Sequence, residues 1–371
     1  MKRIGLMTCF LDNYGACLQA YALQQVILKS GNDVEIIKYI GEQGYEPDHG
    51  WKKWIRNPLT RWIKGKISLN YRFYCERKPS FDSFRKRYLK FTPNSFHSFK
   101  ELQEKANLYD AFVCGSDQIW NPNLYHGNNS CYFLDFANKG QKRIAYAPSI
   151  GISQIPKEYQ ENMKELLNRI DVLSCREKTG SNIITKLCGK ECRTVLDPTL
   201  LLSKEEWEQL SKAPILKKPY IFCYVFAEQE YIGDFIKDVK KKTGLPVVTI
   251  PFSEREHNSD FQEIKYAGPE DFIGLIQNAS LVITDSFHAT AFSCNLNIPF
   301  YSLLRNKEGE NNNMNSRILD LLRMLKLDHR LITNRENFPV RVSTNIDFSI
   351  SNKLLQEKRN QDKEFLFNAL K

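Results

Sequence analysis

The stretch KRIGLMTCFLDNYGACLQAYALQQVILKSGNDVEIIKYI (residues 2–40) decides the fold. Ile4 to Leu11 is a short apolar run, and LDNYGA is a polar loop with a turn glycine. CLQAYALQQVILKSG then shows helical periodicity and stops at Gly31, a residue suited to the position just past a helix end. DVEIIKYI is a second strand-like run. A strand, a helix and a strand in that order imply parallel pairing and a layered α/β domain.

The same alternation continues. Strand-like runs return at 109–115, 143–151, 171–177 and 193–202, with helical pattern between them. A polar, proline-bearing break at 211–219 precedes a second βα series: YIFCYVF, LPVVTIPF, LVITD and IPFYSLL are its strands. With 371 residues, two domains are expected. The expected fold is α/β, with two Rossmann-like domains facing across a cleft. The first spans 1–210 and the second 211–345. A terminal helix within 346–371 packs back on the first domain. No internal sequence repeat is visible.

A basic, aromatic insertion at about 51–100 interrupts the first domain. Within 51–90 there are thirteen Lys and Arg against two acids. Trp51, Trp54, Ile55, Trp62, Ile63 and Ile67 recur at helical spacing with cations between them. Such a segment reads either as a helix lying on an anionic membrane surface or as a flap whose aromatics pack on the first domain. Nucleic acid is not expected, because no recognition motif accompanies the charge.

The whole chain carries a net charge of +10, which favours anionic partners. Ten scattered cysteines without a secretory signal point to a reduced, cytoplasmic protein. No run reaches the ~18 apolar residues that cross a bilayer.

In open α/β sheets, ligands bind beyond the carboxyl ends of the strands. Four strand ends carry candidate chemistry. After LVITD come Ser286 and His288, at the start of a helix whose free N–H groups suit an anion. That imidazole is either a proton donor or a satisfied structural histidine. VCGSDQ places Gly115, Ser116 and Asp117 at another strand end; a turn with an Asp cap is the alternative. SCREK places Arg176 where it can grip a phosphate or carboxylate, or pair with a surface acid. The loop after the first strand offers Asp12, Asn13, Tyr14 and Gly15. Arg317 begins a helix, where a cation opposes the dipole unless an anion binds. There is no G-x-G-x-x-G and no P-loop, so a dinucleotide cofactor is not expected. CGKEC (188–192) has no partner pair, so no metal is expected.

Taken in order, NYGACLQAYAL, DAFVCGSDQIWNP, DVLSCREK, VLDPTLLLS, LVITDSFHATAFSCNLNIPF and NSRILDLLRMLKL resemble the polysaccharide pyruvyl transferase family, from residue 4 to about 327. The resemblance implies a fold like that of GT-B glycosyltransferases, with the second domain binding the donor. It implies transfer of the enolpyruvyl unit of phosphoenolpyruvate to a sugar of a bacterial surface glycan or its lipid-linked precursor. The product is a ketal, phosphate leaves, and no cofactor is required. On that reading Arg176 and Arg317 hold the donor's anionic groups, with Ser286 beside them. His288 is the general acid and Asp117 the base, while 12–15 and 115–116 face the acceptor. The protein would work in the cytoplasm, at the inner face of the membrane if the basic segment touches lipid.

Two departures stand out. Many members carry R-L-H where this chain reads Ser286-Phe287-His288, and N-x-G-D where it reads Asn13-Tyr14-Gly15-Ala16. Arg317 or a helix N-terminus must supply the missing charge, or the donor differs. Asp12 is the acid nearest the second gap. A GT-B glycosyltransferase using a nucleotide sugar, and a non-catalytic partner in glycan assembly, are the alternative readings.

Overall fold

The computed structural model describes residues 1–41, 69–124, 129–216, 219–227, 229–251, 258, 260–306 and 315–371. The first lobe begins with β1 (Arg3–Met7), α1 (Tyr14–Lys29) and β2 (Asp33–Ile36). After α2 (Leu69–Tyr88) and α3 (Phe99–Lys105), β3 (Ala111–Cys114) and β4 (Lys142–Ala145) follow. α4 (Lys157–Asn168), β5 (Ser174–Cys175), α5 (Lys178–Cys188), β6 (Arg193–Thr194), α6 (Pro198–Leu201) and α7 (Lys204–Leu210) complete it. The second lobe runs β7 (Ile221–Tyr224), α8 (Glu230–Thr243), β8 (Val247–Thr249), β9 (Gln262–Glu263), α9 (Pro269–Gln277), β10 (Leu281–Thr284), α10 (Phe287–Leu296), β11 (Phe300–Leu303), α11 (Ser316–Met324) and β12 (Leu331–Ile332). α12 (Ser349–Leu370) ends the chain.

Each lobe holds a parallel sheet. The first has the order β2-β1-β3-β4, prolonged by an Ile144–Val172 bridge towards the β5–β6 pair. The second has the order β12-β11-β10-β7-β8-β9. Both orders reverse direction once, between β1 and β3 and between β7 and β10. Such switch points leave crevices at strand carboxyl ends. The strands read as short apolar runs because helices cover both faces; β3 (AFVC), β7 (IFCY) and β10 (LVIT) are buried throughout.

The lobes share packing along one side. The Tyr14 ring, at the start of α1, stacks on Phe272 of α9 with centroids 4.6 Å apart, and its hydroxyl donates to the Ala267 carbonyl at 2.8 Å. Trp207 of α7 meets Phe292 of α10 edge-on at 4.9 Å. One apolar core therefore runs through both lobes.

The part of the basic insertion that forms α2 turns its aromatics inward: Phe73, Phe81 and Phe84 are fully buried. Its polar groups reach the second lobe. Ser80 donates to the Tyr266 carbonyl at 2.8 Å, Arg77 to that of Pro251 at 3.2 Å, and Arg87 pairs with Glu270 at 2.7 Å. This stretch clasps the lobes together. The Trp-rich repeat at 51–67, on which the membrane reading rests, lies outside the described residues.

α12 also ties the lobes. It starts against the second, where Ser351 donates to the Leu325 carbonyl. Asp362 accepts the Leu196 N–H at 2.8 Å, and Lys2 reaches the Leu370 carbonyl at 3.0 Å in the first. Among the described residues no helix is long and apolar enough to cross a membrane, and all ten cysteines are free thiols.

Candidate active site

In the first lobe the site is built at the ends of β3, β4 and β5. Gly115 has φ +134°, and a Cβ there would lie 1.8 Å from the Tyr146 carbonyl oxygen, so only glycine fits. The turn it permits buries Ser116, whose N–H donates to Gln19 Oε1 at 3.0 Å. Ser116 Oγ stands 2.9 Å from the Ala147 carbonyl and 3.1 Å from Asp197 Oδ2. Arg176 follows β5. Its Nη1 donates to Asp197 Oδ2 at 2.8 Å, and its guanidinium lies 4.6 Å over the Phe287 ring of the second lobe. Asp117 Oδ1 is 3.8 Å from Arg176 Nη2, an ionic contact too long for a hydrogen bond. Next to Arg176, Glu177 accepts from Ser149 Oγ and from the N–H groups of Ile150 and Gly151.

Asp197 joins these groups to the second lobe. It caps α6, with Oδ1 accepting the N–H and hydroxyl of Thr199 at 2.9 and 2.7 Å. Oδ2 lies 3.6 Å from His288 Nε2. Burial alone would raise its pKa. The His288 imidazole and the Arg176 guanidinium outweigh burial and hold the carboxyl well below the usual range. Arg176 is the mirror case: burial would lower its pKa, but Asp197 and Asp117 keep it above the ordinary guanidinium value.

In the second lobe, β10 ends in a turn where the Ser286 N–H donates to Thr284 Oγ1 at 3.0 Å. Ser286 then caps α10, its hydroxyl accepting from the Ala289 N–H. Asp285 is buried and accepts from Phe226 and Ala227 after β7; Arg305 pairs with it at 3.3 Å. His288 sits in the first turn of α10, its ring wedged against α1. A Cβ on Gly15 would lie 2.0 Å from Nδ1. Gly15→Ala is therefore expected to push the imidazole out of place, costing ~1–3 kcal/mol of stability and most of the activity. Urea unfolding and a turnover assay check both; an alanine variant with wild-type turnover contradicts the close approach.

Arg317, near the start of α11, belongs to the same neighbourhood. Burial, and then the Arg176 guanidinium, push its pKa down to about 10, with Arg305 adding to them; Glu177 and Asp117 push the other way. Three guanidinium groups, of Arg176, Arg305 and Arg317, are gathered here among four carboxylates, those of Asp117, Glu177, Asp197 and Asp285.

The structure thus brings His288, Arg176, Arg317, Asp117, Ser116, Gly115 and Gly15 into one place. It does not bring the 12–14 loop there as a ligand contact. Asp12 pairs with Arg85 at 2.6 Å, Asn13 caps α1, and Tyr14 is buried between the lobes. Those three side chains hold structure, Asp12 through its pair with Arg85. Asp197, Glu177, Asp285 and Arg305 were not singled out from the sequence. Asp197 had a local signal: an Asp-Pro pair after a strand marks a helix N-terminus at a strand's carboxyl end.

Four buried polar atoms here have no hydrogen-bond partner among the described residues: Arg176 Nε and Nη2, Glu177 Oε2 and His288 Nε2. Buried polar groups are normally satisfied, so these point to a ligand or water. Another cavity, of ≈ 320 Å³, lies between Ser83 and Arg87 of α2 and Lys212, Glu270 and Asp271. Its acids are already matched, Glu270 by Arg87 and Asp271 by Lys212, so it offers a ligand little charge. Among the described residues no group of three His, Cys, Asp or Glu side chains could hold a metal, CGKEC included.

Two parallel-sheet lobes meeting at their switch points define the GT-B class. UDP-GlcNAc 2-epimerase from Methanocaldococcus jannaschii is similar over 95% of this chain and 92% of its own, with a TM-score of 0.51 and 12% identity. The MnaA–UDP co-structure from S. aureus is similar over 98% and 91%, with a TM-score of 0.50 and 11% identity. At such identities the likeness concerns the fold alone. No curated protein matches the sequence significantly. Residues 13–307 match the polysaccharide pyruvyl transferase family, and the chain belongs to that family.

Proposed function

We propose that the protein transfers the enolpyruvyl unit of phosphoenolpyruvate to two hydroxyls of a sugar, forming a pyruvate ketal and releasing phosphate. What carries this reading is the set of buried, unsatisfied N–H groups of Arg176 beside the unpartnered Nε2 of His288, in a member of this family. A donor with a phosphate and a carboxylate around one reactive carbon matches such a set. Arg176 and Arg317 bind the two anionic groups, and Arg305 adds charge on the second-lobe side. Together they do the work of the arginine that Ser286 lacks.

The chemistry then follows in balanced steps. His288 gives a proton to the methylene carbon, which becomes a methyl group and leaves C2 electrophilic. A sugar hydroxyl attacks C2 and passes its proton to Asp117, which is partly exposed at the rim. The C2–O bond to phosphate breaks, with the guanidinium groups stabilising the charge that develops on the leaving group. The second hydroxyl attacks C2 and its proton leaves with the phosphate. Neither a metal nor a nucleotide takes part. The acceptor is a sugar of a bacterial surface glycan or its lipid-linked precursor, modified in the cytoplasm.

Incubation with phosphoenolpyruvate and a panel of galactose- and mannosamine-type acceptors tests the reaction. Phosphate release together with a new ketal methyl signal by NMR is the expected result. Stabilisation by a nucleoside diphosphate, with no phosphate released from phosphoenolpyruvate, would move the assignment to a nucleotide-sugar glycosyltransferase.

A further inference from the structure

We infer that Asp197 is a positioning residue shared by both lobes: it orients Arg176 on one side and stabilises the His288 imidazolium on the other. The inference rests on the reading of His288 as proton donor and goes beyond it.

The carboxylate has no freedom of its own. Oδ1 is held by the Thr199 N–H and hydroxyl at 2.9 and 2.7 Å, and Oδ2 by Arg176 Nη1 at 2.8 Å and Ser116 Oγ at 3.1 Å. It is 1% exposed, so water does not screen it. Oδ2 stands 3.6 Å from His288 Nε2. That exceeds the ~3.2 Å limit of a good hydrogen bond, yet an opposite charge at that range favours the imidazolium. Asp197 thus supports the positive charge while the Nε2–H stays available to a ligand. A carboxylate in full hydrogen-bond contact would occupy that donor.

The surroundings agree. The charged groups gathered near the start of α10 include Asp197, Arg176, Asp117 and Glu177 from the first lobe, Asp285 with its partner Arg305 in the second, and Arg317 from α11. α1 approaches the ring through Gly15. Of the acids, Asp197 is the one in ionic contact with His288 among the described residues. Because the two sit in different lobes, the proton donor gains this support only when the lobes are seated.

Asp197→Asn keeps the side-chain shape and a capping oxygen but removes the charge. In the full-length protein, ring ¹⁵N shifts at pH 7 report the ratio of doubly to singly protonated His288. A fall of about tenfold or more in that ratio is expected, with circular dichroism unchanged. Thr199→Val removes one hydrogen bond to Oδ1 and no charge, so it should leave the ratio as it is. An unchanged ratio in folded Asp197→Asn overturns the inference. If that variant does not fold, the wild type decides: ring ¹⁵N shifts that show no doubly protonated His288 at any pH at which the protein stays folded are equally fatal. With phosphoenolpyruvate as substrate, the alkaline limb of phosphate release should also move to lower pH in Asp197→Asn. The NMR readout needs no turnover, so an inactive wild type would sink the proposed reaction without touching the Asp197–His288 pair.

Discussion

Replacing His288 by alanine is expected to lower turnover ~10²–10⁴-fold, the range a positioned general acid contributes, with only a modest loss of stability. The ring lies at the seam between α10 and α1, and Asp197 keeps its bonds to Arg176, Ser116 and Thr199 when the ring is gone. The stability cost is therefore that of a small cavity and one ionic contact. Phosphate release at saturating phosphoenolpyruvate, set beside a thermal melt, separates the two effects. His288→Gln fills the space but carries no acidic proton, so it should be as slow as the alanine variant. A glutamine variant that turns over like wild type would remove His288 from the chemistry.

Arg176→Met is expected to destabilise the fold by ~3–5 kcal/mol, because removing one partner of a buried pair leaves the other charge uncompensated. The Arg176 and Asp197 side chains are 2% and 0% exposed, so neither has water to fall back on. Methionine retains much of the stem's packing, which leaves charge as the main change. The pH dependence has a defined sign. The folded-state pKa of Asp197 is depressed, so its contribution is present above the ordinary carboxylate pKa of about 3.9 and is lost as pH falls through the lower folded value. In the variant, burial regains influence and lifts that pKa. The stability gap between the two proteins should therefore narrow as pH is lowered from neutrality through the variant's carboxylate range. Urea unfolding at pH 7 and pH 4 measures it. A cost at pH 7 no larger than that of an exposed pair, about 1 kcal/mol or less, would show that the pair is not the buried anchor described here. Donor binding should fail as well, since the unsatisfied N–H groups leave with the guanidinium.

Much of the architecture was legible because it is written in short-range pattern. Apolar runs of strand length, separated by helical periodicity and punctuated by Gly31 and Gly244 at helix ends, specify parallel α/β layers without knowledge of any contact. The same locality placed His288, Arg176, Asp117 and Arg317 at strand ends or helix starts. The 12–15 loop divides in a way the sequence does not announce: Gly15 reaches His288, while the side chains of Asp12, Asn13 and Tyr14 engage Arg85, the start of α1 and the second lobe. Tyr14 against Phe272 and Asp12 against Arg85 are choices made by segments far away in sequence.

Sequence alone determined the α/β class, the family likeness and the residue types available at each strand end, since period and turn chemistry act over a few residues. Tertiary structure alone decided which of those ends meet. Gly15 against His288, Asp197 between Arg176 and His288, and α2 clasping the second lobe all join residues distant in the chain. Their geometry follows from how two lobes seat on a shared apolar core, and no local pattern carries that information.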